Sequence, residues 1–78
     1  MYIILEIQMA ENGNANIVEP ISVKNTWNEA KSEFHRISSY AAISNVYRHI
    51  VVLVSASNGE VLLKEICDHS IDNQAQGE

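Results

Sequence analysis

The clearest strand and turn signals of the sequence lie in residues 46–69, VYRHIVVLVSASNGEVLLKEICDH. The first half of this stretch is apolar on both faces from Ile50 onward, which is typical of a central strand covered on both sides. Ser57-Asn58-Gly59 is a turn sequence, and Gly59 suits the left-handed bulge position of a three-residue loop. The second half, from Val61 to about His69, then predicts the partner strand of an antiparallel hairpin.

The three-residue loop also sets the register of this hairpin. Val51 then faces Glu65, and Arg48 and Asp68 form an ion pair on the opposite face. The first of these faces also carries Tyr47, His49, Leu53, Leu63, Cys67 and His69. A two-residue Asn-Gly turn would exchange the faces of one strand relative to the other. We prefer the first register, because it sorts the apolar pairs better and uses Gly59 where a positive φ is needed.

The N-terminal third predicts a second hairpin. From Tyr2 to Met9 the sequence alternates, with Ile3, Leu5, Ile7 and Met9 on one face and Glu6 and Gln8 on the other, which predicts a half-buried strand. The Asn12-Gly13 dipeptide is a strong hairpin signal. The following strand, from Ala15 to Lys24, contains Pro20, which cannot donate to a ladder, so this strand is predicted to be an edge or bulged strand.

Between the hairpins the sequence predicts one helix. Thr26 and Glu29 form a capping-box pattern, and the helix is predicted from Trp27 to roughly Ala42, with Ser44-Asn45 ending it. One apolar stripe faces the sheet, with Trp27 and Phe34 expected in the core; it comprises Trp27, Ala30, Phe34, Ile37 and Ala41. A second stripe beside it has small side chains and comprises Lys31, His35, Ser38 or Ser39, and Ala42.

The order ββαββ predicts an α+β fold, with one helix packed on one face of a four-stranded, mostly antiparallel sheet. Residues 1–69 form this single domain, and the polar residues 70–78 are predicted to be a disordered tail. One helix covers one face of the sheet. Because the other face would expose Val and Ile to water, we expect the protein to be a homo-oligomer.

Composition excludes several function classes. A net charge of −5 over 78 residues argues against binding DNA, RNA or anionic membranes. Cys67 is the single cysteine, which rules out an intramolecular disulfide and fits a reducing, cytoplasmic location. The apolar opening is far shorter than the roughly 18 residues that span a bilayer. Neither a phosphate-binding glycine loop nor a convincing nucleophile is evident, so we expect no enzymatic activity, no catalytic residues and no cofactor.

The charge is unevenly distributed. Residues 24–50 hold four basic and two acidic residues, although the chain as a whole is acidic. This segment predicts a site for a phosphate or carboxylate, although four basic residues are also compatible with ordinary solvated surface. Tyr40 and Tyr47 flank the helix end and are candidates for stacking on a base-like ligand.

Two further features are open to more than one interpretation. His49, Cys67 and His69 are residue types that suit zinc, but their spacing has no recognised metal signature, so structural histidines and a buried thiol are preferred and no metal is predicted. Glu65 lies on an otherwise apolar strand face. It either pairs with a cation, from His49, His69 or Arg36, or is a solvated strand residue.

Several motifs resemble a family of short proteins encoded by phages and prophages of Gram-positive bacteria. They are LEIQ at residues 5–8, NEAKSEFH at 28–35, AAISNV at 41–46, His49, and a closing ExxxH formed by Glu65 and His69. Phe34 stands where the family pattern has Tyr, and Ile66-Cys67-Asp68 also departs from it. The resemblance implies no catalytic residues. Small phage proteins without a catalytic motif include counter-defence proteins, among them sponges that sequester nucleotide immune signals, and the resemblance suggests a function of this type.

The resemblance and the residues together predict an oligomeric anti-defence sponge in the host cytosol that binds a small anionic, nucleotide-like ligand. The predicted ligand-binding residues are Lys31, His35, Arg36, Tyr47, His49, Glu65 and His69. The alternative is a non-enzymatic interaction module or inhibitor that docks a host or phage protein through its sheet face or edge strand.

Overall fold

The structure, a computed structural model, describes residues 1–69. The predicted tail, residues 70–78, lies outside the described residues. The fold is α+β, with one helix packed on an antiparallel sheet of five strands. The elements in chain order are β1 (Tyr2–Met9), β2 (Ala15–Ile17), β3 (Ser22–Lys24), α1 (Trp27–Ile43), β4 (Arg48–Ser55) and β5 (Val61–Asp68).

The fifth strand arises because the predicted second strand is interrupted at Pro20. β2 and β3 both pair with β1, β2 along Ile7–Met9 and β3 along Tyr2–Ile4, so together they form one broken edge. Pro20 has no N–H for the ladder, and the Glu19–Pro20 peptide bond is cis. The main order of the sheet is β2-β1-β4-β5, so β5 is the other edge among the described strands.

The β4–β5 hairpin has the predicted register. His49 lies opposite Cys67 and Val51 opposite Glu65. Gly59 has a φ of 73°, and the Arg48–Asp68 ion pair is present with 2.9 Å between Nη2 and Oδ2. A shift between Leu53 and Val54 makes Val54 the partner of Val61 rather than of Leu62.

The capping box at the helix start is confirmed. Thr26 Oγ1 accepts a hydrogen bond from the Glu29 backbone N–H at 3.2 Å and donates one to Glu29 Oε1 at 2.9 Å. The helix ends at its C-cap, Ser44. Its sheet-facing side is narrow, because two of its three buried residues are Ala30 and Ala41 and the third is Phe34. Trp27 is not in the core: its side chain is 38% exposed and its ring contacts Tyr2 edge-on.

The helix covers the face of β1 that carries Ile4 and Glu6, not the face with the regular apolar alternation. Ile4 is fully buried, whereas Ile3, Leu5 and Ile7 are half-buried on the far side. The core between the helix and the sheet consists of Ile4, Ala30, Phe34, Ala41, Val51 and Leu53, with His49 buried beside them. This arrangement leaves the more apolar side of the sheet uncovered by the helix.

Candidate functional site

The seven predicted ligand-binding residues lie in three places. His49 and His69 come together under the C-terminal end of α1, next to Tyr47. Lys31 and His35 are exposed on one flank of the helix, and Glu65 is exposed on the neighbouring strand β5. Arg36 lies on the opposite flank of the helix, where it lines a cleft.

His49 is the buried polar residue of the helix–sheet layer, with 2% of its side chain exposed. Its Nδ1 pairs with Glu6 Oε2 from β1 in a very short contact. Nε2 of the same ring is buried without a hydrogen-bond partner within residues 1–69. A buried polar atom without a hydrogen-bond partner lowers the stability of the folded state, so Nε2 of His49 destabilises this layer unless it acquires a partner.

His69 joins this cluster from the end of β5. Its ring stands edge-on to that of His49, with the centroids 5.9 Å apart. His69 Nε2 donates to the Ala41 carbonyl at 2.9 Å, and its backbone N–H donates to the Tyr47 carbonyl at 3.0 Å. These two bonds tie the helix C-terminus to the start of β4. The geometry thus gives His69 a role in holding the helix end.

The residues that suggested zinc do not form a metal-binding group. Cys67 lies opposite His49 in the ladder and is half-buried against the core. In the part of the chain that the structure describes, no three His, Cys, Asp or Glu residues are placed so that they could hold a metal ion. The cross-strand pairing alone therefore does not create a zinc site there.

Lys31 and His35 share a flank of α1 because they are one helical turn apart. Glu33 and Arg36 of the other flank lie against the β2–β3 side of the sheet, so the flank with Lys31 and His35 faces β5. Within residues 1–69, neither Lys31 nor His35 forms an ion pair. These two side chains are therefore available to bind an anion from solvent.

Arg36, in contrast, is committed to Glu33. Its Nε and Nη2 donate to the two carboxylate oxygens of Glu33 at 2.7 and 2.8 Å. Ser22 Oγ of β3 donates to the same carboxylate at 2.7 Å. The hydrogen bond from Arg36, followed by that from Ser22, lowers the pKa of Glu33 from 4.5 to about 2. The guanidinium also lies 5.8 Å from the centroid of the Tyr40 ring.

The cleft beside Arg36 was not predicted from the sequence. It has a volume of about 310 Å³ and lies between α1, β1 and the segment around Pro20. Its charged lining residues are Glu6, Glu19, Glu33 and Arg36. Three carboxylates against one guanidinium repel an anion, so this cleft does not suit the predicted ligand. Pro20 and the alternating pattern of β1 are the sequence features that relate to this cleft, but neither of them predicts a cavity.

Tyr40 and Tyr47 do not converge on one site. Tyr40 is 63% exposed beside Arg36 on the cleft side. Tyr47 is half-buried, and the Arg48 guanidinium lies 5.5 Å from its ring centroid. Both aromatic rings are thus in contact with an arginine, on different elements.

Among residues 1–69, no element covers the side of the sheet away from the helix, which we call the open face. Ladder partners share a face, and the pairs Ile3–Val54, Leu5–Val52 and Ile7–Ile50 place it unambiguously. Its apolar residues include Ile3, Leu5, Ile7, Ile17, Val23, Ile50, Val52, Val54 and Ile66, and it also carries Lys64 and the Arg48–Asp68 ion pair. Among the described residues, α1 is the one helix, and it lies on the other side of the sheet.

Fold and site together define a class: a small α+β protein with one helix on an antiparallel sheet, an open apolar face and a basic helix flank. No family model matches the chain, and neither curated proteins nor solved structures show a significant match. Among the described residues, no helix is long and apolar enough to cross a bilayer. The resemblance to phage-encoded proteins therefore stays a prediction.

Proposed function

We propose that the protein is a non-enzymatic, self-associating binding protein that sequesters a small anionic ligand of the nucleotide type in the host cytosol. The observation that carries the ligand class is the flank of α1 with Lys31 and His35. Both side chains are exposed and without an ion-pair partner within residues 1–69, although the chain has twice as many acidic as basic residues. Cations in this setting attract a phosphate, which forms charge-assisted hydrogen bonds with them.

The remaining predicted residues have different parts in this proposal. Glu65 lies on the same side of β5 as Cys67 and Leu63, toward the helix, so its carboxylate can accept from a ribose hydroxyl. His49 and His69 hold the layer beneath the helix end. Arg36 is taken up by Glu33, so its contribution to ligand binding is electrostatic at most.

The open face supports the association of copies. Strands of 8 residues are about 27 Å long, and four strands are about 19 Å wide, so the face covers about 500 Å² in plan. Because side chains protrude from the sheet, the accessible area of this face is larger than its area in plan. For comparison, a specific interface buries about 800 Å² on each partner. Exposed apolar patches of this size are often functional. A second copy that stacks its own open face on the first buries both.

Thermal melting with and without ligand tests the proposal. A ligand present at about 100 times its dissociation constant adds about 2.7 kcal/mol, which raises the melting temperature of a domain of this size by about 10–20 °C. We expect such a rise with ADP-ribose derivatives or cyclic nucleotides, and its loss in Lys31→Ala and His35→Ala. Lys24→Ala is the matched control and should retain it. An unchanged melting curve with every member of the panel would contradict the proposal.

The open face also favours a second candidate function, an interaction module that docks a host or phage protein. Its apolar side chains are the contact that such a partner would bury. The two candidates differ in the purified protein. Self-association without any partner supports the first, whereas a monomer that forms an equimolar complex with one defined protein supports the second.

A further inference from the structure

The two edges of the sheet differ in how well they are protected against pairing. The β2–β3 edge is broken at Pro20 into two strands of 3 residues. β5 is one strand of 8 residues without proline or glycine, and Val61 and Ile66 are 53% and 54% exposed. Long, regular edge strands are templates for pairing with another chain, and proteins normally interrupt or charge them. β5 carries Lys64 and Glu65 at its centre but is not interrupted, so among the described residues it is the edge open to a partner strand whose charges match.

The direction of the backbone groups of β5 follows from its ladder with β4. The His69 N–H donates to the Tyr47 carbonyl, so residue 69 points its backbone toward β4. These groups alternate along an antiparallel strand. Leu63, Glu65 and Cys67 therefore bond toward β4, whereas the N–H and C=O groups of Lys64 and Ile66 point out of the sheet.

We propose that two copies of the chain pair through β5 about a two-fold axis, with Ile66 opposite Ile66 of the partner subunit. Such a contact is isologous, and a two-fold axis between antiparallel strands runs perpendicular to the sheet. One residue near the centre must then face its own copy. The candidates are Lys64, Glu65 and Ile66, because these three lie in the exposed middle of the strand.

Charge selects among the three registers. Centring on Lys64 or Glu65 places like charges directly opposite each other, which destabilises a strand pair. Centring on Ile66 pairs two apolar side chains and places Lys64 opposite the partner's Asp68, once on each side of the axis. The Asp68 carboxylate, which binds Arg48 of its own chain, would then also face a lysine of the other chain. Ile66 and Lys64 also carry the outward-pointing backbone groups, so their pairs are hydrogen-bonded pairs.

In this pairing, residues of two copies would form the ligand-binding site. The identity of the ligand rests on the proposed function. The axis keeps both helices on the same side of the joined sheet. Each helix lies mainly over β1 and β4, so the two helix axes are about four strand spacings, or about 19 Å, apart. With helices about 10 Å in diameter, a groove about 9 Å wide remains between them. Lys31 and His35 of both copies line this groove, which would admit a flat nucleotide.

Cross-linking through the single cysteine tests the pairing directly. In the proposed register, residue 65 faces the partner's Cys67 in a non-hydrogen-bonded pair, with Cα atoms about 4.5 Å apart, within disulfide range. Residues 65 and 67 of one chain lie about 6.6 Å apart along the strand, beyond the Cβ separation of about 4.5 Å that a disulfide allows. We expect mild oxidation to convert Glu65→Cys into a covalent dimer, and the wild type to stay uncross-linked.

Val61→Cys is the matched control, since residue 61 would face the partner's Cys67 only in the register centred on Lys64. A cross-link in Val61→Cys but not in Glu65→Cys would overturn the register, and no cross-link in either folded variant would overturn the pairing. Adding Lys64→Glu to Glu65→Cys should slow cross-linking about tenfold, whereas adding Lys24→Glu should not. If Glu65→Cys cross-links but the melting curve of the wild type does not shift with ADP-ribose derivatives or cyclic nucleotides, the pairing stands and the proposed function alone is contradicted.

Discussion

Glu6 and His49 are 43 positions apart in the sequence, yet they form the polar centre of the helix–sheet layer. Glu6 comes from β1 and His49 from β4, and their side chains are 13% and 2% exposed. The carboxylate gives the imidazole one partner, while Nε2 has none among the described residues. The pair explains why β1 can turn Glu6 inward and leave its most regular apolar face open.

The first prediction concerns this pair. Glu6→Ala removes the partner of Nδ1 and leaves His49 with both ring nitrogens unsatisfied in the layer. We expect the free energy of unfolding to fall by about 2–3 kcal/mol, measured by urea denaturation. Glu6→Gln retains an acceptor and should cost less. Glu60→Ala, at an exposed position in the turn before β5, should change stability by less than about 0.5 kcal/mol. Equal effects of Glu6→Ala and Glu60→Ala would show that the pair adds no stability.

The second prediction concerns pH. Because Arg36 and Ser22 lower the pKa of Glu33 from 4.5 to about 2 in the folded protein, its ionised form stabilises the fold above pH 4.5. This stabilisation is lost as the pH falls from 4.5 toward 2. The difference in unfolding free energy between the wild type and Glu33→Gln should therefore be constant above pH 5 and shrink below it. Urea titrations at a series of pH values measure it.

The control for the pH prediction is Glu60→Gln, in the turn before β5. This side chain is exposed and is not part of the Glu33 hydrogen-bond set. A difference between wild type and Glu33→Gln that stays the same from pH 6 to pH 2 would contradict the low pKa of Glu33.

The third prediction concerns the β4–β5 turn. Gly59 has a φ of 73°, and a Cβ added there would meet nothing within 4 Å. Gly59→Ala should therefore lower the free energy of unfolding by about 1 kcal/mol through the backbone alone. Ser57→Ala in the same turn serves as the comparison and should cost less, since Ser57 forms one exposed hydrogen bond with Ser55. An unchanged stability of Gly59→Ala would mean that the turn relaxes to a different conformation.

Local signals made much of the fold predictable. The positive φ required at Gly59 selected the register of β4 and β5, and with it the Arg48–Asp68 pair. Pro20 marked the edge position where the second strand breaks into two. Thr26 and Glu29 located the start of the helix. Each of these features depends on the chemistry of residues that are close in sequence.

The face of β1 was less predictable, because it depends on a distant partner. The alternation of Ile3, Leu5 and Ile7 indicates a buried face, whereas Glu6 and Gln8 on the other side indicate solvent. The face with Glu6 is nevertheless the one that packs against the helix, because the Glu6 carboxylate pairs there with His49. Trp27 also differs from the prediction: the stripe on the helix indicates the core, but the indole is 38% exposed and packs edge-on against Tyr2.

The candidate site was predicted as a set of residue types rather than as one place. Helical spacing put Lys31 and His35 on one stripe of the helix. Arg36 was assigned to the same ligand site, but it lies on the opposite flank of the helix, at the cleft. The sequence does not show that Glu33 takes up Arg36, because Ser22 of β3 completes that hydrogen-bond set. The acidic cleft beside it arises from three elements at once, so no local pattern predicts it.

We propose that copies of this chain associate through the open face, and sedimentation velocity at micromolar concentration measures this association. Ile50 lies in the middle of this face, opposite Ile7 and Ile66. Ile43→Glu is the matched control, because Ile43 is 82% exposed at the end of the helix. We predict that the wild type and Ile43→Glu sediment as dimers or larger species, and that Ile50→Glu keeps its circular dichroism spectrum but sediments with a smaller mass. A wild-type protein that sediments as a single 8.7 kDa species would contradict the account.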